Sequence, residues 1–135
     1  MEHNFKISCS KENLKEVRRF VNAVLSGYPI SESEKNMITL AVDEVCANLI
    51  IHSHKCNPKE FITLNIFEQK GMLVFEIIDD GDSFNLLQHE EQSLYNIVKQ
   101  KRKGGLGIML VKRIMDDIQI YNAPDHNVCR LYKKI

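Results

Sequence analysis

The stretch ITLNIFEQKGMLVFEII, Ile62 to Ile78, predicts a β-hairpin. Its two halves, Ile62–Glu68 and Met72–Ile78, are rich in β-branched and aromatic residues, which favour strands. Gln69-Lys70-Gly71 joins them, and a short connection that contains glycine is typical of antiparallel pairing.

Three further segments indicate strands. Phe5–Ile7 is a short apolar candidate near the beginning of the chain. Ile118–Tyr121 and Val128–Lys133 form a second candidate hairpin, turned around Pro124–Asn127.

Three segments have apolar residues at helical spacing, namely Lys11–Ser26, Ser31 to about Ser53, and Leu106–Asp116. Ser10 is positioned to cap the first helix. Ser31 stands three residues before Glu34, which is a capping-box pattern for the second. In the third helix, Leu110 is expected on the same buried side as Val111 and Ile114.

Strands that occur in hairpins, with helices in separate blocks, indicate an α+β fold rather than a doubly wound βαβ fold. We expect a two-layer α/β sandwich with its helices on one face of a mixed, mostly antiparallel sheet. The chain shows no low-complexity linker, internal repeat or break in composition. We therefore expect one domain over residues 1–135.

Composition excludes several classes of protein. Lys+Arg and Asp+Glu are equal at 18 each, so overall charge gives no indication of nucleic-acid or membrane binding. No apolar stretch approaches the ~20 residues that cross a bilayer, and the N-terminus is too polar for a signal peptide. Four cysteines without CxxC spacing indicate a reduced, cytoplasmic protein without disulfides.

The second helix carries AVDEVCANLIIHSH, Ala41 to His54, in which Glu44, Asn48 and His52 are spaced i, i+4, i+8. A solvated helix face is one interpretation of this pattern. In the functional interpretation Asn48 supplies an oxygen ligand to magnesium, and Glu44 orients or deprotonates an attacking oxygen one turn away.

A cluster of carboxylates around one glycine follows the second strand of the hairpin, in IIDDGDSFN, Ile77 to Asn85. A polar turn and a calcium loop are alternatives, but Ile78 stands where calcium would need an oxygen ligand. A carboxylate at a strand end can instead accept a hydrogen bond from an adenine amino group, while the glycine lets the backbone approach the base.

The third helix is introduced by three glycines in KGGLGIMLVKRIMD, Lys103 to Asp116. This stretch matches neither a P-loop nor a Rossmann fingerprint. A turn without a ligand and an anion-binding loop are therefore both possible interpretations. The basic run Lys99–Lys103 before it is a solvated surface or a set of cations beside bound phosphates. A zinc site at His52, His54 and Cys56 lacks the usual paired ligand spacings.

Three motifs follow one another along the chain, namely an acid and an asparagine four apart on a helix, strand–DxGxxF, and a polar segment leading to GGLG and a helix. This order of motifs resembles the GHKL ATPase superfamily. The stretches DEVCANLIIHSH, DDGDSF and KGGLGIMLVKRIMDDI are most similar to its anti-sigma-factor serine-protein kinase branch. The resemblance covers essentially the whole chain.

The resemblance implies a role for each of these positions. Asn48 would hold Mg²⁺, Glu44 would be the catalytic base, and Asp79, supported by Gly81, would bind the adenine amino group. Leu86–Lys103 would form a lid over ATP. The phosphates would be bound by the following segment of five residues, comprising Lys103, Gly104, Gly105, Leu106 and Gly107.

The resemblance also implies a function, namely an ATP-dependent serine-protein kinase that phosphorylates a small anti-anti-sigma protein of STAS type. As a homodimer it would sequester a sigma factor in the alternative complex. The family usually has a Gly-Thr pair near the start of the final strand, where this chain has Asn127-Val128, so nucleotide contacts are not assigned to that strand. A non-catalytic sequestering module therefore stays an alternative. A detached histidine-kinase catalytic domain is disfavoured, since Ser83 stands where that branch usually has glycine and the chain lacks room for a phospho-acceptor helical domain.

Overall fold

The computed structural model describes residues 2–80 and 103–135, with the backbone alone at residues 52–53 and 103–108. Its strands are β1 (His3–Ser8), β2 (Phe61–Gln69), β3 (Met72–Asp79), β4 (Asp117–Asn122) and β5 (Asn127–Lys134). Its α-helices are α1 (Leu14–Leu25), α2 (Glu32–Asn48) and α3 (Lys103–Ile114). A 3₁₀ turn, Lys11–Asn13, precedes α1, and a π-helical turn, Leu49–Ser53, continues α2.

The five described strands form one sheet in the order β1-β2-β3-β5-β4. Each of its four neighbouring pairs is antiparallel. The sheet is built from the two predicted hairpins, β2-β3 and β4-β5, with β1 added at one edge. The predicted α+β class is thus confirmed.

The β2-β3 hairpin turns more tightly than its sequence suggested. Gln69 pairs with Met72, so the loop contains only Lys70 and Gly71. Both have positive φ, 51° and 80°, as a type I′ turn requires. Glycine occupies this region without the steric cost that a side chain brings, which explains why Gly71 stands there.

The hydrophobic core lies between the sheet and the helices. Leu73, Phe75 and Ile77 alternate along β3 and are fully buried, as period-two patterning requires. They share the core with helical residues such as Val21 of α1 and Val42 of α2. The opposite face of the sheet carries polar pairs such as Glu76–Arg130, joined at 2.8 Å. The two-layer arrangement with helices on one face is therefore confirmed.

The predicted helix starts differ in outcome. Ser31 caps α2, because its side chain accepts a hydrogen bond from the Glu34 backbone N–H at 3.1 Å. Ser10 makes no such bond to the helix, and its hydroxyl donates to Glu12 instead. The prediction of a Ser10 cap was wrong because a 3₁₀ turn separates Ser10 from α1.

Helix α3 begins at Lys103 and ends at Ile114, whereas the sequence predicted Leu106–Asp116. The glycine-rich stretch is therefore helical rather than a loop. The C-terminus of α3 is closed by the Lys133 ammonium, which donates to the Ile114 carbonyl at 2.9 Å. Val111 and Ile114 are buried as predicted, but Leu110 is 42% exposed, so its assignment to the core face was wrong.

Several predictions concern residues outside the described parts of the chain. They include the role of Gly81, the loop up to Leu86, and the predicted lid Leu86–Lys103, of which only Lys103 is described. The single-domain boundary 1–135 also stays a prediction. No helix in the described portion is long and apolar enough to cross a bilayer.

Candidate active site

The predicted acid–asparagine pair lies one turn apart on α2, and a hydrogen bond links the two residues. The Asn48 side chain is almost completely buried, and its Nδ2 donates to the Glu44 carbonyl oxygen at 2.8 Å. This bond fixes which end of the amide is the acceptor end. Asn48 Oδ1 is consequently the atom available to a metal ion.

Glu44 occupies an environment that favours its neutral form. Burial raises the pKa of its carboxyl group, and repulsion by Asp43 raises it further. Among the side chains that the structure describes, none makes a hydrogen bond or ion pair with the Glu44 carboxylate. Asp43 is bonded to Arg18 at 3.0 Å, yet burial outweighs Arg18 and raises the Asp43 pKa as well.

The predicted line of Glu44, Asn48 and His52 does not continue as a regular α-helix. The α-helical hydrogen bonding ends at Asn48, and His52 lies in the π-helical turn. Single π turns occur frequently at functional sites. This one ends at Ser53, and His54 follows it directly.

Asp79 ends β3 and is 4% exposed. Its Oδ2 lies 2.9 Å from His54 Nε2, and the opposite ring nitrogen, Nδ1, lies 2.6 Å from Glu60 Oε1. In the sheet register, Asp79 stands directly opposite Asn127, the residue at the position of the usual Gly-Thr pair. Asn127 is itself buried.

Sequence reasoning considered His54 only as a zinc ligand and did not consider Glu60. The structure places the ring of His54 between two carboxylates instead. No group of His, Cys, Asp and Glu among the described residues is arranged to hold a metal ion. The signal that could have indicated this contact is the second histidine of His52-Ser53-His54, followed by an acid six residues later.

The first turn of α3 provides the remaining predicted segment. Lys103–Gly107 lies in the first described turns of α3 rather than in the predicted loop. Its binding of phosphates stays a prediction. Helix α3 packs on α2, and the His54–Asp79 contact ties the end of the α2 segment to β3. The three predicted site segments thus belong to connected elements.

Comparison with known proteins identifies the family. The family profile described as "Histidine kinase-like ATPase domain" matches residues 7–133. The chain belongs to this family. Proteins with similar sequences include the serine-protein kinase RsbW of Bacillus subtilis. It is 29% identical over 125 residues, which cover 87% of this chain and 76% of the relative. The anti-sigma F factor of Bacillus cytotoxicus is 24% identical over 119 residues, covering 88% of this chain and 82% of the relative.

Solved structures show the same fold. The structure of the RsbU and RsbW domains of a Mycobacterium tuberculosis protein has a TM-score of 0.70 at 13% identity and covers 99% of this chain. The match takes up 32% of that longer protein. The SiaB–SiaC complex of Pseudomonas aeruginosa has a TM-score of 0.68 at 14% identity, covering 96% of this chain and 88% of the matched one.

Proposed function

We propose that this histidine kinase-like ATPase domain is an ATP-dependent serine-protein kinase and anti-sigma factor. Its substrate would be a serine on a small anti-anti-sigma protein of STAS type. The observation that carries the proposal is the Glu44–Asn48 pair, in which a carboxylate with a raised pKa, and with no partner among the described side chains, stands one turn from a fixed amide. The similarity to proteins named serine-protein kinase RsbW and anti-sigma F factor supports it.

Glu44 would act as the general base. Its carboxylate would accept the proton of the substrate serine hydroxyl as the serine oxygen bonds to the γ-phosphorus of ATP. The bond from that phosphorus to the β,γ-bridging oxygen breaks, and ADP leaves with the electron pair. Phosphoryl transfer needs mainly positioning and charge stabilisation, and a base with a raised pKa is better matched to neutral pH.

Asn48 would hold Mg²⁺ through Oδ1, and the hydrogen bond from its Nδ2 fits that role because it directs the oxygen end of the amide away from the helix backbone. When bound, the ion would neutralise phosphate charge. The N-terminal residues Lys103–Gly107 of α3 would bind the phosphates, and Asp79, with Gly81, would bind the adenine amino group.

The same site would set the choice of partner. In one complex the domain would phosphorylate the anti-anti-sigma protein, and in the other it would sequester a sigma factor as a homodimer. We place it in the cytoplasm, without direct nucleic-acid or membrane binding. The free thiols of all four cysteines are compatible with a reducing compartment.

One observation favours a second candidate, a sequestering module without kinase activity. Asn127 and Val128, both buried, stand at the position of the usual Gly-Thr pair, with Asn127 opposite Asp79. Side chains larger than glycine at this point would restrict the approach of a nucleotide to β5.

Calorimetry of Mg-ATP binding tests the proposal. The wild-type chain should bind ATP only with Mg²⁺ present, and Asn48→Ala should weaken Mg-ATP binding by at least about tenfold, the usual scale for losing one charge-assisted contact. Asn36→Ala, at an exposed position of the same helix, is the matched control and should bind like the wild type. If the wild-type chain does not bind ATP at millimolar concentration, the proposal that it is a kinase is contradicted. Binding without transfer to a STAS-type protein of the same genome would favour the sequestering module.

A further inference from the structure

The side chain of His54 is fully buried between two carboxylates. Its Nε2 lies 2.9 Å from Asp79 Oδ2 and its Nδ1 lies 2.6 Å from Glu60 Oε1. The Asp79 side chain is 2% exposed, whereas that of Glu60 is 38% exposed. His54 therefore connects a buried acid at a strand end to an acid at the surface.

The backbone adopts an unusual path to place His54 there. The His54 N–H donates to the Leu49 carbonyl at 2.9 Å, which closes the π turn, and the Cys56 N–H donates to the Ile50 carbonyl at 2.8 Å. Lys55 and Cys56 have φ of 51° and 58°. Non-glycine residues in this left-handed region cost about 1–2 kcal/mol each. The fold tolerates that cost at the two residues directly after His54.

The number of hydrogen-bond donors available to these three side chains determines how many protons they must share. A carboxylate only accepts hydrogen bonds, and a neutral imidazole has a single N–H. Two short contacts from one ring to two carboxyl groups therefore require two protons among the three side chains. His54 is an imidazolium, or one of the carboxyl groups is protonated. In both cases the bond at Nε2 holds the Asp79 carboxyl in one orientation.

We propose that His54 is the positioning residue for base recognition. It fixes the Asp79 carboxyl so that this group accepts the exocyclic amino group of adenine, and Glu60 fixes the orientation of the His54 ring. His54 itself does not touch the nucleotide. This inference rests on the proposed function, since it concerns the adenine end of the same ATP site.

A purely structural role for His54 makes a different prediction. If His54 only joined the loop after α2 to the end of β3, its loss would weaken the binding of all nucleoside triphosphates alike. A positioning role affects only nucleotides whose base carries the amino group. Purine riboside 5′-triphosphate, which has hydrogen in place of that group, separates the two roles.

The experiment measures the dissociation constants of Mg-ATP and of Mg-purine riboside 5′-triphosphate by calorimetry. For His54→Gln, the constant for ATP should rise roughly tenfold, the scale of one hydrogen bond to a charged group, while that for the analogue stays unchanged. His3→Gln, at the far end of β1 from Asp79, is the matched control and should change neither constant. Equal losses for the two nucleotides, or no loss for either, would overturn the proposal.

Glu60→Gln gives a second test, at a side chain that is itself 38% exposed. Glu60 borders a cleft of about 310 Å³ that also reaches Asp79. We expect a smaller loss than for His54→Gln, again confined to ATP. If circular dichroism shows that His54→Gln is unfolded, Glu60→Gln becomes the test of the proposal. An equal loss of affinity for ATP and for the analogue would then contradict it. Failure of the wild-type chain to bind ATP would instead overturn the proposed function, and this inference with it.

Discussion

Glu44 and Asp79 are two carboxyl groups of the proposed site that the fold holds in opposite ways. Glu44 lies partly buried on a helix with no partner for its carboxylate among the described residues, and burial raises its pKa. Asp79 lies deeper, at a strand end, and is bonded to the ring of His54 at 2.9 Å. One acid is left to exchange a proton, and the other is fixed in place.

The difference shows how burial produces two functions. Removing a carboxylate from water without giving it a partner disfavours its charge, which makes it a stronger base. Giving a buried acid a hydrogen-bond partner instead fixes its geometry, as recognition of a base requires. Under the proposed function we therefore expect Glu44 to serve transfer chemistry and Asp79 to serve binding, and substitutions at the two positions should have separable effects.

The largest expected effect is on catalysis. Glu44→Gln should lower the rate of phosphoryl transfer to the protein substrate by about 10²–10⁴-fold, the usual contribution of a general base. Binding of Mg-ATP should persist, because the Glu44 carbonyl that accepts from Asn48 belongs to the backbone and is retained. Single-turnover transfer and calorimetry on the same preparation measure the two quantities.

The control is Glu32→Gln, an exposed acid in the first turn of the same helix. It should transfer phosphate at the wild-type rate. Wild-type transfer by Glu44→Gln would remove this residue from the mechanism and with it the contrast with Asp79.

The next effect concerns stability at the fixed acid. Asp79→Asn should lower the free energy of unfolding by roughly 1–3 kcal/mol, because the buried His54 ring loses a charge-assisted hydrogen bond. Urea denaturation measures this change, with the exposed neighbour Asp80→Asn as the control. A neutral result for Asp79→Asn would show that the His54 contact contributes nothing to the fold.

At Glu44 the sign of the stability change should be opposite. Its pKa is higher in the folded chain than the ordinary 4.5, so folding binds its proton more tightly, and stability falls as pH rises between the two values. Glu44→Gln removes that loss and should raise the melting temperature at neutral pH. Below the ordinary pKa the carboxyl is protonated in both states and the gain should disappear. A lower melting temperature at neutral pH would contradict the stated environment of Glu44.

Much of this arrangement was predictable, because the features concerned are local. The period-two pattern of Met72–Ile78 and the capping box at Ser31 each specify their own segment, and both are observed. Glu44 and Asn48 lie one turn apart because their spacing and the helix dictate it. The order of these local motifs was enough to indicate the family.

The features that were missed depend on contacts between distant parts of the chain. His54 meets Asp79 across 25 positions, and nothing local to either residue indicates the other. The helical start of α3 at Lys103 was missed because glycine opposes helix formation in isolation. Packing can override helix propensity, and α3 packs on α2.

The smallest expected effect separates the two causes of the raised Glu44 pKa. Transfer should fail on acidification as Glu44 is protonated, with a midpoint above the ordinary 4.5. Asp43→Asn removes the repulsion but keeps a side-chain oxygen for Arg18, so the midpoint should move to lower pH. Burial is the larger cause, and the midpoint should therefore stay above the ordinary value. The pH dependence of single-turnover transfer measures the shift, with Asp117→Asn on β4 as the control. A midpoint that rises, or that falls to the ordinary value, would mean that burial is not what distinguishes Glu44 from Asp79.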